Sequence, residues 1–365
     1  MPTIDELRIL QALPLDIKIQ KTQIRIQEFI DRFGEDGVYI AFSGGKDSTV
    51  LLDICRKMYP DMVAVFCDTG LELPPIRKFA LSKDNVKVAR PKYSFKDVIR
   101  TYGYPIASKE VSETIYYARS ICDRDEMSTR RKKILGAIED NGDKKSMFNY
   151  SFWLPLCRLP IPISSYCCDV MKKNPSKSYS TKTGRHPILA TTTDESMLRQ
   201  NRWLKYGCNI FSGDTISSTP MAFWKEQDVL QYIKDNDLEI ASVYGDVINE
   251  TVVDRKGNES CRLCTTGYRR TGCVFCAYGA HLEKQGDRRF VKLKKEYPAL
   301  YEYCMGGGEW IDNPKYVEGC PKYGKDGWEN WNPKKIWVPS DEGLGMRNVF
   351  EMINNVYGAE FISCE

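Results

Sequence analysis

The chain has 365 residues, with 53 Lys plus Arg against 49 Asp plus Glu and a formal net charge of +4. Hydrophobic residues make up 42% and charged residues 28%, which excludes a disordered, collagenous or coiled-coil chain and predicts a globular protein of about two domains. So small a charge does not by itself argue for nucleic acid, and the unusual feature is 14 Cys against 2 His.

Residues 1–35 read as a helical lead-in, with isoleucines at helical spacing among charges from Lys18 to Phe33. Val38 to Phe42 is a short buried strand, followed by the glycine loop Ser43-Gly44-Gly45-Lys46-Asp47-Ser48 and an apolar-periodic helix from Thr49 to Met58. A second strand runs from Met62 to Cys67 and ends at Asp68-Thr69-Gly70. Strand, glycine loop, helix, strand is the βαβ unit of a parallel sheet, whose ligands bind at the carboxyl ends of the strands. Residues 109–146, including Arg130-Arg131-Lys132-Lys133, are a charged helical insertion. A third strand is predicted at Pro187 to Thr191, leading through Asp194-Glu195-Ser196 into a helix that carries Arg199. Pro220 to Ile233 reads as a turn and an amphipathic helix. Residues 251–304 are Cys-, Gly- and Arg-rich without clean periodicity, and 305–365 form an irregular extension with one helix near Met346 to Val356. The linear domain reading is therefore 1–35, 36–250, 251–304 and 305–365. The N-terminus lacks the apolar region of a signal peptide, and no run of about 18 apolar residues spans a membrane, so a cytoplasmic location without membrane contact is expected.

The loop supplies successive backbone N–H groups at a helix N-terminus, an anion cradle reinforced by the helix dipole. Its glycines permit close approach, while Lys46 and the hydroxyls of Ser43 and Ser48 add donors. It fits neither G-x-x-x-x-G-K-[ST] nor the dinucleotide pattern G-x-G-x-x-G, so both of those sites are rejected. A plain strand-to-helix turn closed by a capping side chain is the alternative.

With these residues the chain resembles the phosphoadenosine phosphosulfate reductase family of PP-loop ATP pyrophosphatases. Phe66-Cys67-Asp68-Thr69-Gly70 resembles that family's second-strand motif, and Asp194-Glu195-Ser196-x-x-Arg199 its E-S-x-x-R element. Pro220, Trp224, Asp228, Val229, Tyr232 and Ile233 resemble its helix. The resemblance covers about residues 20–280. It implies an α/β fold, a doubly wound, mostly parallel sheet with a Cys-rich cluster-binding segment and an irregular C-terminal extension. It also implies that Ser43, Gly44, Gly45, Lys46, Asp47 and Ser48 hold the phosphates of ATP or adenylyl sulfate, usually with magnesium bridging them. Asp68 and Thr69 are expected near the ribose or the metal, with Glu195 also in the nucleotide site. Lys46, Asp47 and Arg199 are the candidate catalytic groups, Arg199 contacting phosphate or sulfate; the alternative for Arg199 is an ion pair with Glu195 one helical turn away. One departure stands out: the family's Gly-x-Arg before the acidic residue reads Ala190-Thr191-Thr192 here, so an anion-binding arginine is missing.

In an intracellular chain, cysteine clusters more often mean metal or redox chemistry than disulfides, and soft thiolates suit zinc or iron–sulfur. Cys55, Cys67, Cys122, Cys157 and Cys208 read as packing residues. Cys167-Cys168, with Lys172 and Pro175 following, resembles the paired-cysteine segment of iron–sulfur sulfonucleotide reductases. Gly267-Tyr268-Arg269-Arg270-Thr271-Gly272-Cys273-Val274-Phe275-Cys276 resembles their second segment. The resemblance implies one 4Fe-4S cluster on Cys167, Cys168, Cys273 and Cys276. Two rivals stay open. Cys261 and Cys264 with Cys273 and Cys276 form two C-x-x-C pairs, a zinc pattern with a short eight-residue gap. Cys264, Cys273 and Cys276 also resemble the cluster segment of the ATP-using subunit of DNA phosphorothioation systems, but the expected fourth Cys falls on Leu282.

An intact loop with a cluster looks like ATP-dependent sulfur transfer: the acceptor is adenylated, and a sulfide or persulfide from a sulfur donor then displaces AMP. The acceptor would be a tRNA base or the DNA backbone, with Arg130 to Lys133, Arg269-Arg270 and Arg288-Arg289 as the phosphate-binding surface or simply as solvated faces. The alternative is a sulfonucleotide reductase, which forms sulfite through a nucleophilic tail cysteine and a thioredoxin-like reductant. Cys364 is the candidate nucleophile, although the chain ends Ser363-Cys364-Glu365 without the family's remaining tail motif. A nucleotide-binding accessory or sensor protein is the third reading. The sulfur acceptor and the oligomeric state are not legible.

Overall fold

The structure is a computed structural model that describes residues 1–119, 127–137, 148–213, 215–253, 257, 259–284, 286, 288–325 and 327–363. Cys122, Cys364 and part of the 109–146 insertion lie outside the described residues. In chain order the strands are β1 (Val38–Phe42), β2 (Ala64–Cys67), β3 (Val86–Ala89), β4 (Ile106–Ala107), β5 (His186–Leu189) and β6 (Asn209–Ile210). They continue with β7 (Ser217–Ser218), β8 (Val247–Val253), β9 (Glu259–Thr265), β10 (Ala277–Tyr278), β11 (Glu309–Asp312) and β12 (Lys335–Val338).

The chain divides into two compact units, Met1–Pro91 with Lys173–Cys273, and Lys92–Lys172 with Val274–Glu365. The linear boundaries read from the sequence do not coincide with these units. The 109–146 insertion and the 305–365 extension share the second unit, and the Cys-rich segment is divided after Cys273.

The first unit is built on a six-stranded sheet in the order β3-β2-β1-β5-β7-β6, parallel throughout except for β6 against β7. The central strand β1 is a nearly continuous buried apolar run, as a strand covered on both faces requires. Successive side chains of a strand point to opposite faces. On one face Tyr39 meets Tyr179 of the helix Asn174–Thr183, with ring centroids 5.0 Å apart. On the other, Phe42 meets Phe79 of the helix Pro74–Ser82 at 6.3 Å. Helices thus cover both faces, and the sheet is doubly wound. From β1 the chain proceeds to β2 and β3 on one side, while β5 lies on the other, so the loop after β1 sits at the topological switch point.

The predicted lead-in is two helices, Ile4–Ala12 and Leu15–Phe33. The longer one is tied to the Pro220–Asp228 segment. The Trp224 indole donates to Thr22 Oγ1 at 2.9 Å, and Thr22 donates to the Pro220 carbonyl at 3.3 Å. Lys18, only 2% exposed, donates to Asp228 Oδ2 at 2.6 Å. The same Asp228 oxygen accepts from the Lys225 backbone N–H at 2.7 Å and so caps the helix Glu226–Asp235. β8 and β9, where no element was expected, form an antiparallel hairpin from Val247 opposite Thr265 to Val253 opposite Glu259. Most of the β9 side chains are exposed, so its sequence carries no apolar alternation to read.

In the second unit β4 pairs in parallel with β10, and β11 pairs antiparallel with β12, with Trp310 opposite Trp337. The expected late helix spans Met346–Tyr357 and buries Met346, Val349, Phe350 and Ile353. No helix among the described residues is long and apolar enough to cross a membrane.

The tie between Lys18 and Asp228 yields a stability prediction. Lys18→Met leaves a carboxylate without its buried cation and should lower the unfolding free energy by about 2 kcal/mol. Lys18→Met combined with Asp228→Asn should cost clearly less than the two single changes added together, as chemical denaturation will measure.

Candidate functional site

In the first unit, β1 delivers the chain into Ser43 and then into Gly44, whose φ is +73°. A Cβ there would stand 3.0 Å from the Ile76 carbonyl oxygen and 3.1 Å from Ile76 Cγ2. Glycine is therefore required on both conformational and steric grounds. Gly45 is the N-cap of the helix Lys46–Met58. The serines brace the turn: the hydroxyls of Ser43 and Ser48 lie 3.0 Å apart, and Ser48 donates to the Gly45 carbonyl at 2.9 Å. The loop is thus a preformed turn at a helix N-terminus, the arrangement that favours an anion.

Lys46 is 6% exposed. Its ammonium donates to the Arg269 carbonyl at 2.7 Å, lies 3.7 Å from Glu226, and stands 5.3 Å from the Tyr244 ring centroid. Burial holds it below the usual lysine range, against the opposing pull of Glu226 and Asp47. Burial, with Glu195 adding, pushes the Asp47 carboxyl up. The segment Gly267–Thr271 is a strap fixed beside the loop. Gly267 donates to the Tyr244 carbonyl at 2.9 Å, Tyr268 to the Val243 carbonyl at 2.9 Å, and the hydroxyls of Thr271 and Tyr244 are 2.6 Å apart. A Cβ on Gly267 would collide with the Val243 carbonyl oxygen, so only glycine permits this approach. Between Arg269 and Thr271, Arg270 is exposed and within electrostatic reach of Lys46 and Asp47.

Both oxygens of the buried Asp68 carboxylate are engaged, by Arg77 at 2.9 Å on each and by Arg90 at 3.3 Å. Arg77 holds this carboxyl below the usual range. Asp68 thus holds two arginines at the carboxyl end of β2. Thr69 closes its own turn through Glu72, donating from Oγ1 at 2.7 Å. Glu195 and Arg199 form the ion pair that was the plain alternative, beside the Ser196 cap of the helix Met197–Tyr206. Arg77 and Arg90 escaped the sequence reading, because neither belongs to a quoted motif; Arg270 was read only as part of a nucleic-acid phosphate surface, not as a group beside the loop. The only signal was the Arg-Arg pair after Tyr268.

In the second unit, Cys167 and Cys168 lie on the helical turn Tyr166–Cys168 and continue into a π-turn, Asp169–Lys173, that buries Met171. The hydrogen bond from Cys167 lowers the Cys168 thiol to about 6, with Lys109 and Lys172 adding. Tyr278 on β10 has Cys167, Cys168 and Cys276 in its electrostatic surroundings, although burial is the main cause that pushes its phenol upward. The Cys276 carbonyl accepts from Arg289 at 2.9 Å, and Arg289 is itself paired with Glu283. Cys167, Cys168 and Cys276 thus belong to one unit and all act electrostatically on Tyr278, and thiols are the donor type that suits iron–sulfur. Cys273 is the last residue of the first unit. Among the described residues no group of three or more His, Cys, Asp or Glu stands ready to hold a metal ion. The rival pair fares worse. Cys261 and Cys264 both lie in the extended strand β9, and positions three apart on a strand face opposite ways.

The basic residues expected to form a phosphate surface are mostly engaged. Arg130 pairs with Glu113 at 2.8 Å, Lys133 with Glu110 at 3.3 Å and Arg269 with Glu250 at 3.4 Å, while Arg131 is buried.

Residues 37–109 match the phosphoadenosine phosphosulfate reductase domain, a span that contains both the glycine loop and the Asp68 motif. The chain is 24% identical over 275 residues to Uncharacterized protein MJ0973 of Methanocaldococcus jannaschii, covering 74% of this chain but 46% of that protein, less than half its length. Among solved structures it is similar to phosphoadenylyl-sulfate (PAPS) reductase from Candida auris in a phosphate complex. That likeness has 14% identity and a TM-score of 0.33, over 66% of this chain and 91% of that one. The domain match, with the loop and strand motifs that lie inside it, makes residues 37–109 similar to the phosphoadenosine phosphosulfate reductase domain.

Proposed function

We propose that the chain is an ATP-using PP-loop enzyme that adenylates an acceptor and then transfers sulfur to it. The observation that carries this reading is the intact, braced loop from Ser43 to Ser48, with Gly44 left-handed just ahead of the helix N-terminus. In this reading the loop and Lys46 hold the β- and γ-phosphates. Arg270, exposed on the strap, supplies the cation that Ala190-Thr191-Thr192 lacks. An acceptor oxygen attacks the α-phosphorus, the bond to the β-phosphate oxygen breaks, and pyrophosphate leaves against Lys46 and Arg270. A sulfur nucleophile then displaces AMP.

Cys167, Cys168 and Cys276, with Cys273 three residues before Cys276 in the chain, are the proposed cluster ligands. A bound cluster would supply a sulfide or hold the sulfur donor. Lys109 and Lys172 would offset the negative charge of the thiolates.

The reductase reading needs a tail that swings. Here the chain just before Cys364 is tied down. Ile362 is 1% exposed, and its backbone N–H and carbonyl are both bonded to the Asn354 side chain at 2.9 Å. Phe361 stacks on Tyr357 at 4.6 Å. These contacts favour sulfur transfer over reduction.

Incubation with ATP labelled at the α-phosphate should give AMP and pyrophosphate; ADP, or sulfite from adenylyl sulfate without ATP cleavage, would overturn the reading. Arg270→Ala should weaken pyrophosphate binding roughly tenfold or more, as loss of a charge-assisted hydrogen bond requires, while leaving the melting temperature unchanged because the side chain is exposed. An anion favours the charged form of Lys46, so pyrophosphate affinity should fall as pH rises through the lowered pKa of this lysine, earlier than for an ordinary lysine. Titration calorimetry across pH will show whether the loss begins there. Anaerobic reconstitution should load about four irons per chain. Cys168→Ser should lose iron and Cys261→Ser should keep it, as iron analysis will report.

A further inference from the structure

The second unit contains a cavity of about 380 Å³ that the nucleotide reading leaves unused. Its walls are Tyr102, Tyr116, Tyr117 and Trp331, backed by Ile163 and Ile336. Arg100 and Lys315 also line it and are exposed. The aromatic walls are held firmly. Tyr102 stacks on Tyr166 with centroids 4.9 Å apart, Tyr116 meets the same ring edge-on at 5.1 Å, and the hydroxyls of Tyr117 and Tyr166 lie 3.0 Å apart. On the far wall the Arg119 guanidinium lies 4.2 Å from the Trp331 ring centroid and donates to the carbonyls of Leu156, Cys157, Leu159 and Ile161. Arg119 is therefore spent on fixing the wall, whereas Lys315 is a cation at the mouth. Arg100 is partly neutralised by Glu309 at 2.7 Å.

We propose that this cavity is the subsite for one unstacked nucleobase of a single-stranded nucleic acid, with Lys315 taking a flanking phosphate. The proposal rests on the sulfur-transfer reading only for the reason such a base is bound. The volume lies in the range of a small-molecule pocket. An aliphatic ligand would gain nothing from a cation at the mouth, and a bare anion would gain nothing from aromatic walls. A base followed by its phosphate uses both, because every base presents a π-face to an aromatic ring. The residue that holds the three tyrosines, Tyr166, is followed directly by Cys167 and Cys168, so a base in the cavity stands against the turn that carries the cysteine pair.

The test is fluorescence titration of the full chain with four probes: a single-stranded RNA decamer, a single-stranded DNA decamer, the matching DNA duplex and free nucleosides. Single strands should quench tryptophan emission and bind at least tenfold more tightly than the duplex; which strand binds more tightly identifies the source of the base. Tyr116→Ala should weaken single-strand binding roughly tenfold or more. Lys315→Ala, on the exposed mouth and 5.6 Å from the Tyr116 ring centroid, should weaken it and flatten its salt dependence. Both variants should retain wild-type ATP binding, which certifies their fold. Equal affinity for duplex and single strand, or single-strand binding untouched in both variants, would overturn the proposal. A wild type that binds and cleaves ATP but no strand overturns the subsite alone. One that binds strands through Tyr116 but ignores ATP overturns the nucleotide reading alone.

Discussion

The left-handed backbone at Gly44 is the constraint on which the rest of the first unit depends. It lets the chain leave the buried strand β1 and enter the helix Lys46–Met58 within a few residues, so that N–H groups crowd at the helix start instead of being spent on a longer turn. Ile76 stands so close that a Cβ at this position would press on its carbonyl oxygen at 3.0 Å, on top of the strain of the left-handed backbone. Everything near the loop fits that geometry: the serine pair that braces it, the strap that Gly267 brings close, and the Lys46 ammonium parked on the Arg269 carbonyl.

The surrounding structure keeps the turn in register. The helix Leu15–Phe33 and the Pro220–Asp228 segment are joined by Trp224, Thr22, Lys18 and Asp228, nearly all of it buried. The helix that follows is fastened in turn to the loop's own helix, where Tyr232 donates to Asp53 at 2.6 Å. The segment from Pro220 to Ile233, which resembles the family's helix, anchors neighbouring elements in this chain. It reaches the glycine loop's helix through packing and hydrogen bonds.

The sheet and the loop were legible because their signals are local: an apolar run, two glycines, an apolar-periodic helix and a second apolar run lie in one stretch of chain. The doubly wound order needed the resemblance, since pairing of β1 with β5 joins residues far apart in sequence. The division into units was not legible. Both units are discontinuous, and no composition shift marks Pro91, Lys172 or Cys273. β8 and β9 were missed because a mostly exposed hairpin, with only Leu263 and Thr265 of β9 buried, has too short a buried face to write into its sequence. At the site, residue types were readable but partners were not. Asp68 was recognised, yet its two arginines lie on other elements, while for Arg199 the ion pair with Glu195 on the same turn stood beside the ligand reading and is the one formed. The missing arginine was visible as an absence, and its proposed substitute, Arg270, could be found only once the strap was seen beside Lys46.

The most direct measurement is the equilibrium affinity for ATP of the wild type, Gly44→Ala and Gly184→Ala. Gly184 has nearly the same φ, +72°, but nothing lies within 4 Å of the position a Cβ would take, so it carries the backbone strain without the close approach. If the loop cradles phosphates, Gly44→Ala loses ATP binding by at least tenfold while Gly184→Ala binds as the wild type does. ATP binding that survives in Gly44→Ala would contradict the account.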